Sequence, residues 1–396
     1  MSESSTPNSK ARRFFDGLLF GVVAILLFAS VFVLVSAPVG WLWLVAIFVS
    51  ECGHFVGFGA LLLAVVCWQR GRVGRIFAVL ALISAGLCVS PAVRAAMMAR
   101  SLPARCTAAF GTSYPPRAHE NAFAWLDLFR AVSISGVTVT EFVYGQNGPK
   151  PLKLDLYRAK DSSAPEPVVI MVVGGAWHRG SRKQLPALNA YLAREHYAVA
   201  AIDYRHTPKW PFPAAVDDVF YAVDFLKKHA RELKLDTSRI ALIGRSAGGQ
   251  IALTAAYAGK EPAIRGVASF YAPTDLVLGY DHPSARGILD SQKVLEEYLR
   301  GSPTENPAAY AAASPVNFVG SSTPPTLLLH GGLDSIVWPR QSEMLATRLA
   351  QAGRPHLYLN LPWATHGCDA NLSGPSGQLS RYAIDRFLAS IFAPAK

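Results

Sequence analysis

The chain has 396 residues, 51% of them hydrophobic, and a net charge of +11. The surplus is uneven: residues 1–106 carry nine Lys/Arg against three Asp/Glu (+6), and the remaining 290 carry 29 against 24 (+5). No basic stripe interleaved with aromatics accompanies it, which argues against a nucleic-acid partner, and the lack of any Cys-x-x-Cys argues against a zinc ribbon or thioredoxin-type centre.

Residues 1–16 are polar and read as a disordered tail with a basic flank, Arg12-Arg13. Residues 18–37 are uncharged and almost wholly apolar, long enough to cross a bilayer core. Their length, and Pro38 directly after Ser36-Ala37, favour a span over a cleaved signal. Residues 39–68 form a second apolar tract, interrupted by Glu51-Cys52-Gly53-His54. It reads as one tilted or broken helix, or as an interfacial segment bearing Trp41 and Trp43 followed by a span from about Cys52. Glu51 and His54 stand one helical turn apart and are placed near the outer interface. Residues 69–75 hold Arg70, Arg72 and Arg75 and read as a cytoplasmic loop; residues 76–98 are the next span. With about three spans over 17–100, the positive-inside rule puts everything after residue 100 outside the cytoplasm, in the periplasm of a bacterium. Two crossings within 39–68 would reverse that.

Residues 101–134 are a mixed connector with Pro115-Pro116 and an amphipathic patch at 123–132. From 135 the pattern becomes an alternation. Strands are expected at 137–144, 152–157, 168–173, 198–202, 239–243, 266–270, 326–330 and 357–361, the first two joined by a turn at Gln146-Asn147-Gly148. Helices are expected at 182–196, 213–233, after Ser246, at 339–352 and at 375–392, with an irregular helical insert, read as a small cap, at 282–313. Near-continuous apolar strands alternating with helices predict an α/β fold, a doubly wound and mostly parallel sheet covered on both faces.

Gly244-Arg245-Ser246-Ala247-Gly248 is a G-x-S-x-G between a strand and a helix, a turn that lifts the serine hydroxyl above the sheet. A nucleophilic serine needs a base, a group that orients the base, and donors for an oxyanion. Functional loops of such a sheet lie at the carboxyl ends of its strands. Asp334 follows the strand 326–330, and His366 follows 357–361. Ser246, Asp334 and His366 thus stand in the order nucleophile, acid, base. Gly174-Gly175-Ala176-Trp177, after the strand 168–173, supplies small residues whose N–H groups can approach a carbonyl oxygen, and Ala247 adds a further N–H.

With these motifs, residues 135–396 resemble an α/β-hydrolase of the esterase/lipase type, nearest the feruloyl-esterase-like and hormone-sensitive-lipase-like carboxylesterases. The resemblance rests on Val173-Gly174-Gly175-Ala176-Trp177, Asp203-Tyr204-Arg205, Phe212 to Asp218, Gly244 to Gly249, His330-Gly331-Gly332-Leu333-Asp334 and His366-Gly367. It implies a serine carboxylic-ester hydrolase with an acyl-enzyme intermediate, no metal or cofactor, and a small or lipid-like ester as substrate. Gly175, Ala176 and Ala247 would form the oxyanion hole, with Gly174 beside them. Asp203 to Arg205 and Phe212 to Asp218 would brace the loops. Two positions depart from the pattern: Val173 replaces a histidine that braces the loop, and Arg245 replaces an acidic residue common in the lipase-like branch. Prenylcysteine methylesterases and kynurenine formamidases share the Gly-Gly-x-Trp pattern, so amidase or acyltransferase chemistry stays open, as does a non-catalytic membrane module. Three of the five cysteines fall in apolar runs; Cys106 and Cys368 are a candidate disulfide if both face an oxidising compartment.

Overall fold

The computed structural model describes residues 7–111, 121–146, 150–259 and 261–393. Pro115-Pro116 and the turn at Asn147-Gly148 lie outside them. The N-terminal part is helical: α1 (Pro7–Ser30), α2 (Gly40–Glu51), α3 (Gly53–Trp68), α4 (Gly71–Ala99) and α5 (Leu102–Phe110). The polar tail is shorter than expected, because α1 already begins at Pro7. Proline is tolerated in a first helical turn, and nothing between it and the apolar run breaks the helix.

Segments Ala11–Val33 and Gly71–Ala99 are long and apolar enough to cross a membrane, and α2 and α3 pass the same test only as a pair bent by 83°. The corner is Cys52, whose backbone leaves the helical region just before Gly53. Helices α3 and α4 meet through buried small residues, Gly57, Ala60 and Ala64 facing Ala78, Ala81 and Ala85. Small side chains let backbones approach closely where lipid removes the hydrophobic drive between helices.

Helix α2 has three faces. Leu42, Ala46 and Val49 pack into a small cluster with Phe32, Val33 and Ala37. Trp41, Leu44 and Phe48 are exposed. Trp43, Ile47 and Glu51, spaced by four, turn toward the sheet. Glu51 and His54, expected near an outer interface, are both buried against other parts of the protein, at 1% and 7% exposure. Glu51 accepts the Ser376 N–H at 3.1 Å, and His54 packs on Phe55 and Phe129.

Helix α4 has 29 residues, so it is about 44 Å long, well beyond a bilayer core of about 30 Å. Its far end leaves the bundle. Ala95 shares a core cluster with Leu102 and Cys106 of α5 and with the sheet. Cys106 and Cys368 lie buried in that cluster as free thiols, so the candidate disulfide is not formed. The patch at 123–132 is a single 3₁₀ turn, Trp125–Phe129, with Leu128 buried and Trp125, Leu126 and Phe129 exposed.

Beyond it come β1 (Val137–Gly145), β2 (Leu152–Ala159), β3 (Glu166–Val172), α6 (Pro186–Arg194), β4 (Ala198–Ile202), α7 (Ala214–Lys228), β5 (Leu235–Arg245), α8 (Ala247–Tyr257) and β6 (Ile264–Phe270). The insert holds α9 (Leu276–Asp281), α10 (Ser291–Leu299) and α11 (Pro307–Ala313). β7 (Thr326–Gly331), α12 (Arg340–Gln351), β8 (His356–Leu361) and α13 (Pro375–Ile391) complete the chain. The eight strands form one sheet in the order β1-β2-β4-β3-β5-β6-β7-β8, with β2 antiparallel to both neighbours and the rest parallel. Strand residues alternate between faces. Val168, Ile170 and Val172 of β3 enter one core cluster, and Val169 and Met171 enter the other.

Arg182 ties β1, β2 and the loop after β4 together. It is 7% exposed and donates to Asp155 at 2.7 Å, to Asp203 at 2.6 Å and to Glu141. Truncation would leave the buried Asp155 carboxylate without its counter-charge, at a cost of about 3–5 kcal/mol. Arg182→Ala should therefore lower the thermal or urea midpoint of the detergent-solubilised protein markedly, where an exposed change such as Arg231→Ala leaves it in place.

Candidate active site

Strand β5 delivers Ser246. Its apolar run, Ile240 to Ile243, is fully buried, and the chain turns sharply at Ser246 (φ 53°, ψ −124°) into α8. A non-glycine residue rarely holds such a backbone unless the surroundings force it. The force here is close packing: a Cβ on Gly248 would sit 2.3 Å from the carbonyl oxygens of Val172 and Val173. Only glycine lets the first turn of α8 press against the end of β3.

The loops after β7 and β8 bring Asp334 and His366 to the same point. His366 Nε2 lies 3.0 Å from Ser246 Oγ, and His366 Nδ1 lies 2.7 Å from Asp334 Oδ2. The other oxygen of Asp334 accepts the N–H groups of Ile336 and Val337 at 2.8 and 2.9 Å. Burial alone would raise the Asp334 pKa, but the adjacent His366 and the hydrogen bonds from His330 and His366 outweigh it and hold the carboxyl well below the usual range. His330 is a further participant not singled out as such in the sequence. Its Nε2 donates between Val337 O (3.0 Å) and Asp334 Oδ2 (3.2 Å), while Nδ1 faces Ser342 Oγ at 2.7 Å.

The loop after β3 holds Gly174, Gly175 and Ala176 against Ser246. Gly175 has φ +137°, and a Cβ there would overlap Arg179 O at 1.8 Å. Ala176 and Trp177 are both left-handed (φ 53° and 58°), which turns successive N–H groups inward. Among the described residues, the N–H groups of Gly175, Ala176 and Ala247 take no acceptor. Val173 is buried and apolar, so the bracing a histidine would give comes from elsewhere. Trp177 donates to Gln250 at 2.9 Å and stacks on Tyr298 of the insert, and Asp203 accepts the Arg182 N–H at 2.9 Å. Arg205 donates to Asp218 through both backbone and side chain, at 2.7 and 2.8 Å.

Arg245 does not face solvent. It is 2% exposed, and its Nε donates to Asp369, which also accepts the Tyr271 hydroxyl at 2.6 Å. Asp369 comes three residues after His366, so the pair links the serine turn to the histidine loop. A buried arginine implies a buried acid, but the sequence offers no pattern that selects Asp369 as that acid. The histidine loop is also held from the N-terminal helices. Trp43 Nε1 donates to the His366 carbonyl at 2.9 Å, Arg94 lies over the Trp363 ring, and Asn371 donates to the Glu51 carbonyl at 3.2 Å.

Two clefts meet at Ser246. One, a narrow cleft of about 50 Å³, runs under the insert between Trp177, Leu289, Leu295 and Trp338. The other, of about 320 Å³, is lined by Gly175, Ala176, His366, Gly367, Trp43 and Ile47. No group of three or more His, Cys, Asp or Glu side chains suited to a metal occurs among the described residues.

Comparison with known proteins agrees with the fold. Residues 154–349 match the family model BD-FAE. The probable carboxylic ester hydrolase LipM of Mycobacterium tuberculosis is 30% identical over 267 residues, 63% of this chain and 60% of LipM. Esterase LipQ of the same organism is 28% identical over 64% of this chain and 62% of its own. A bacterial heroin esterase superposes with a TM-score of 0.55 over 65% of this chain and 85% of its own, at 24% identity. This is an α/β-hydrolase fold. The chain spans about three-fifths of the length of the curated relatives it matches first.

Within the hydrolase fold the Arg245–Asp369 pair is a testable clamp. Asp369→Ala leaves a buried guanidinium without its partner, at a cost of about 3–5 kcal/mol. Arg245→Met with Asp369→Ala removes both charges and should recover part of that loss. Denaturant melts of the two single variants and the double variant measure the coupling, expected in the range of about 0.5–3 kcal/mol. Simple additivity would show that the two do not act as a pair.

Proposed function

We propose that this chain is a membrane-anchored serine carboxylic-ester hydrolase. The single observation that carries the reading is the unbroken chain of contacts from Ser246 Oγ to His366 Nε2 (3.0 Å) and from His366 Nδ1 to Asp334 Oδ2 (2.7 Å). His366 takes the Ser246 proton as the oxygen attacks an ester carbonyl. The N–H groups of Gly175, Ala176 and Ala247, with Gly174 beside them, receive the oxyanion. Collapse breaks the ester C–O bond, and the alcohol leaves with the proton from His366. Water, deprotonated by the same imidazole, then releases the acid. Asp334 fixes the tautomer and stabilises the imidazolium, and every step uses only side chains and backbone groups of this chain. Sequence similarity to ester hydrolases supports the reaction class.

The membrane reading rests on the apolar segments and on where the ends of the bundle point. Asp16 and Arg70 pair at 3.1 Å, so the start of α1 and the basic α3–α4 junction share one end. The hydrolase fold and α2 share the other. The positive-inside rule then assigns the hydrolase domain to the extracytoplasmic side. A second reading, a methylesterase acting on a lipid-modified carboxyl, draws on 28% identity to the isoprenylcysteine alpha-carbonyl methylesterase ICME of Arabidopsis thaliana over half of each chain.

Ser246→Ala should fold normally, yet lose p-nitrophenyl acetate turnover and labelling by a fluorophosphonate probe. Retained turnover sinks the assignment. Asp334→Asn should lower kcat by roughly 10⁴-fold with little change in KM, since the imidazole loses its orienting acceptor. The stability effect has a definite sign. Because the folded pKa of Asp334 lies below its ordinary value of 3.8, its carboxylate contributes stability above about pH 3.8 that is lost as pH falls through the folded value. The stability deficit of Asp334→Asn should thus be constant at neutral pH and shrink only in strong acid, as read from urea melts across pH.

A further inference from the structure

Helix α2 lies against the reacting atoms, although it belongs to the apolar N-terminal bundle. Trp43 and Ile47 line the larger cleft together with His366 and Gly367. The Gly367 backbone comes so close that a Cβ there would lie 3.3 Å from Ile47. The start of α2 is tied to the insert as well: Gly40 N–H donates to the Gly287 carbonyl at 3.1 Å, and Leu289, two residues on, borders both clefts.

The two clefts are not equivalent for an ester. In the reaction proposed above, the leaving oxygen must receive its proton from His366 Nε2, so the alcohol part lies on the His366 side of Ser246. The cleft lined by His366 is the one walled by α2; the narrower cleft under the insert does not reach His366 and takes the acyl part. The neighbouring face of α2 carries exposed Trp41, Leu44 and Phe48, and α2 meets α3 at 83°. If α3 runs across a bilayer, α2 lies along its surface, with one face in the headgroup region and the other in the active site.

We propose that α2 is a wall of the active site that receives the alcohol part of the substrate directly from the bilayer. The substrate is then an ester of a short acyl group with a long-chain, membrane-resident alcohol. This rests on the serine-hydrolase reading, and the step itself is the one already written: Ser246 Oγ bonds the acyl carbon, the ester C–O bond breaks, and the long-chain alcohol departs with the His366 proton toward the lipid.

The test uses the full chain in phosphatidylcholine vesicles with four esters: ethyl acetate, hexadecyl acetate, ethyl hexanoate and ethyl palmitate. The native chain should turn over hexadecyl acetate at least tenfold better, in kcat/KM, than ethyl palmitate. Ile47→Trp, which fills the alcohol side, should cut the ratio of hexadecyl acetate to ethyl acetate by more than tenfold, while the ratio of ethyl hexanoate to ethyl acetate follows the native one. A native preference for long acyl chains overturns the proposal and favours the methylesterase reading. An unmoved alcohol ratio in a folded, fluorophosphonate-labelled Ile47→Trp protein overturns it as well. Should Ile47→Trp fail to fold, Ile47→Ala decides: the ratio of branched 2-hexyldecyl acetate to hexadecyl acetate should rise at least threefold, and an unchanged ratio counts against α2. Failure of the native chain to label with fluorophosphonate sinks the serine reading itself, whereas a labelled chain with acyl-side preference sinks only this inference.

Discussion

His366 has to meet Ser246 and Asp334 at once, and it does so from an irregular loop between β8 and α13. An irregular loop pays the full conformational entropy of being fixed, about 1–2 kcal/mol per residue, without a ladder of backbone bonds in return. The return comes from contacts on two sides. From the sheet, Arg245 and Tyr271 hold Asp369. From the N-terminal helices, Trp43 holds the His366 carbonyl, Arg94 covers Trp363, and Asn371 reaches Glu51 and Cys52. The bundle and the sheet therefore share responsibility for one side chain.

Buried charge marks the places where this sharing is specific. A buried ion pair is weak evidence for stability, because desolvation can exceed the Coulombic gain. What such a pair does supply is direction. Apolar helices slide over one another at little cost, but the Glu51 side chain accepts a hydrogen bond from the Ser376 N–H in the first turn of α13. Glu51 thus ties the end of α2 to the hydrolase fold, with Ile47 and Trp43 one and two turns earlier on the same side.

The parts legible in the sequence were those encoded locally. Strand-helix alternation followed from apolar runs and their breaks, and Ser246, Asp334 and His366 followed from their places just after strands. Each structural strand overlaps its expected segment. The parts that stayed hidden depend on pairings across long separations. Trp43 and His366 are 323 residues apart, and Arg245 and Asp369 are 124 apart. Arg245 did stand out as a departure, yet no local pattern names its partner. Glu51 likewise has a partner that no local pattern names, Ser376, 325 residues away. An acid within an apolar tract suggests proximity to water because isolated burial is costly. A third environment is the N-terminus of a helix from another part of the fold. The candidate pairing of Cys106 with Cys368 was closer: the two share a core cluster but pack as free thiols.

The placement of α2 also bears on what an anchor is for. A hydrolase on a loose tether would have to draw a lipid chain into water before reaching it, at about 0.8 kcal/mol for each methylene, or roughly 12 kcal/mol for a sixteen-carbon chain. A cleft recovers that only to the extent that it buries the chain, at about 0.8 kcal/mol for each methylene. In the arrangement proposed for α2, a site walled by an interfacial helix would avoid the step, the chain passing from lipid to the Ile47 side of α2 without crossing water. The exposed aromatics of the 3₁₀ turn, Trp125 and Phe129, with Phe129 packed edge-on against Phe55 of α3, extend the same apolar surface beside α2. On this view the 83° corner at Cys52 does more than shorten a span: it turns the helix that follows α1 out of the bundle and lays it where the ester must arrive.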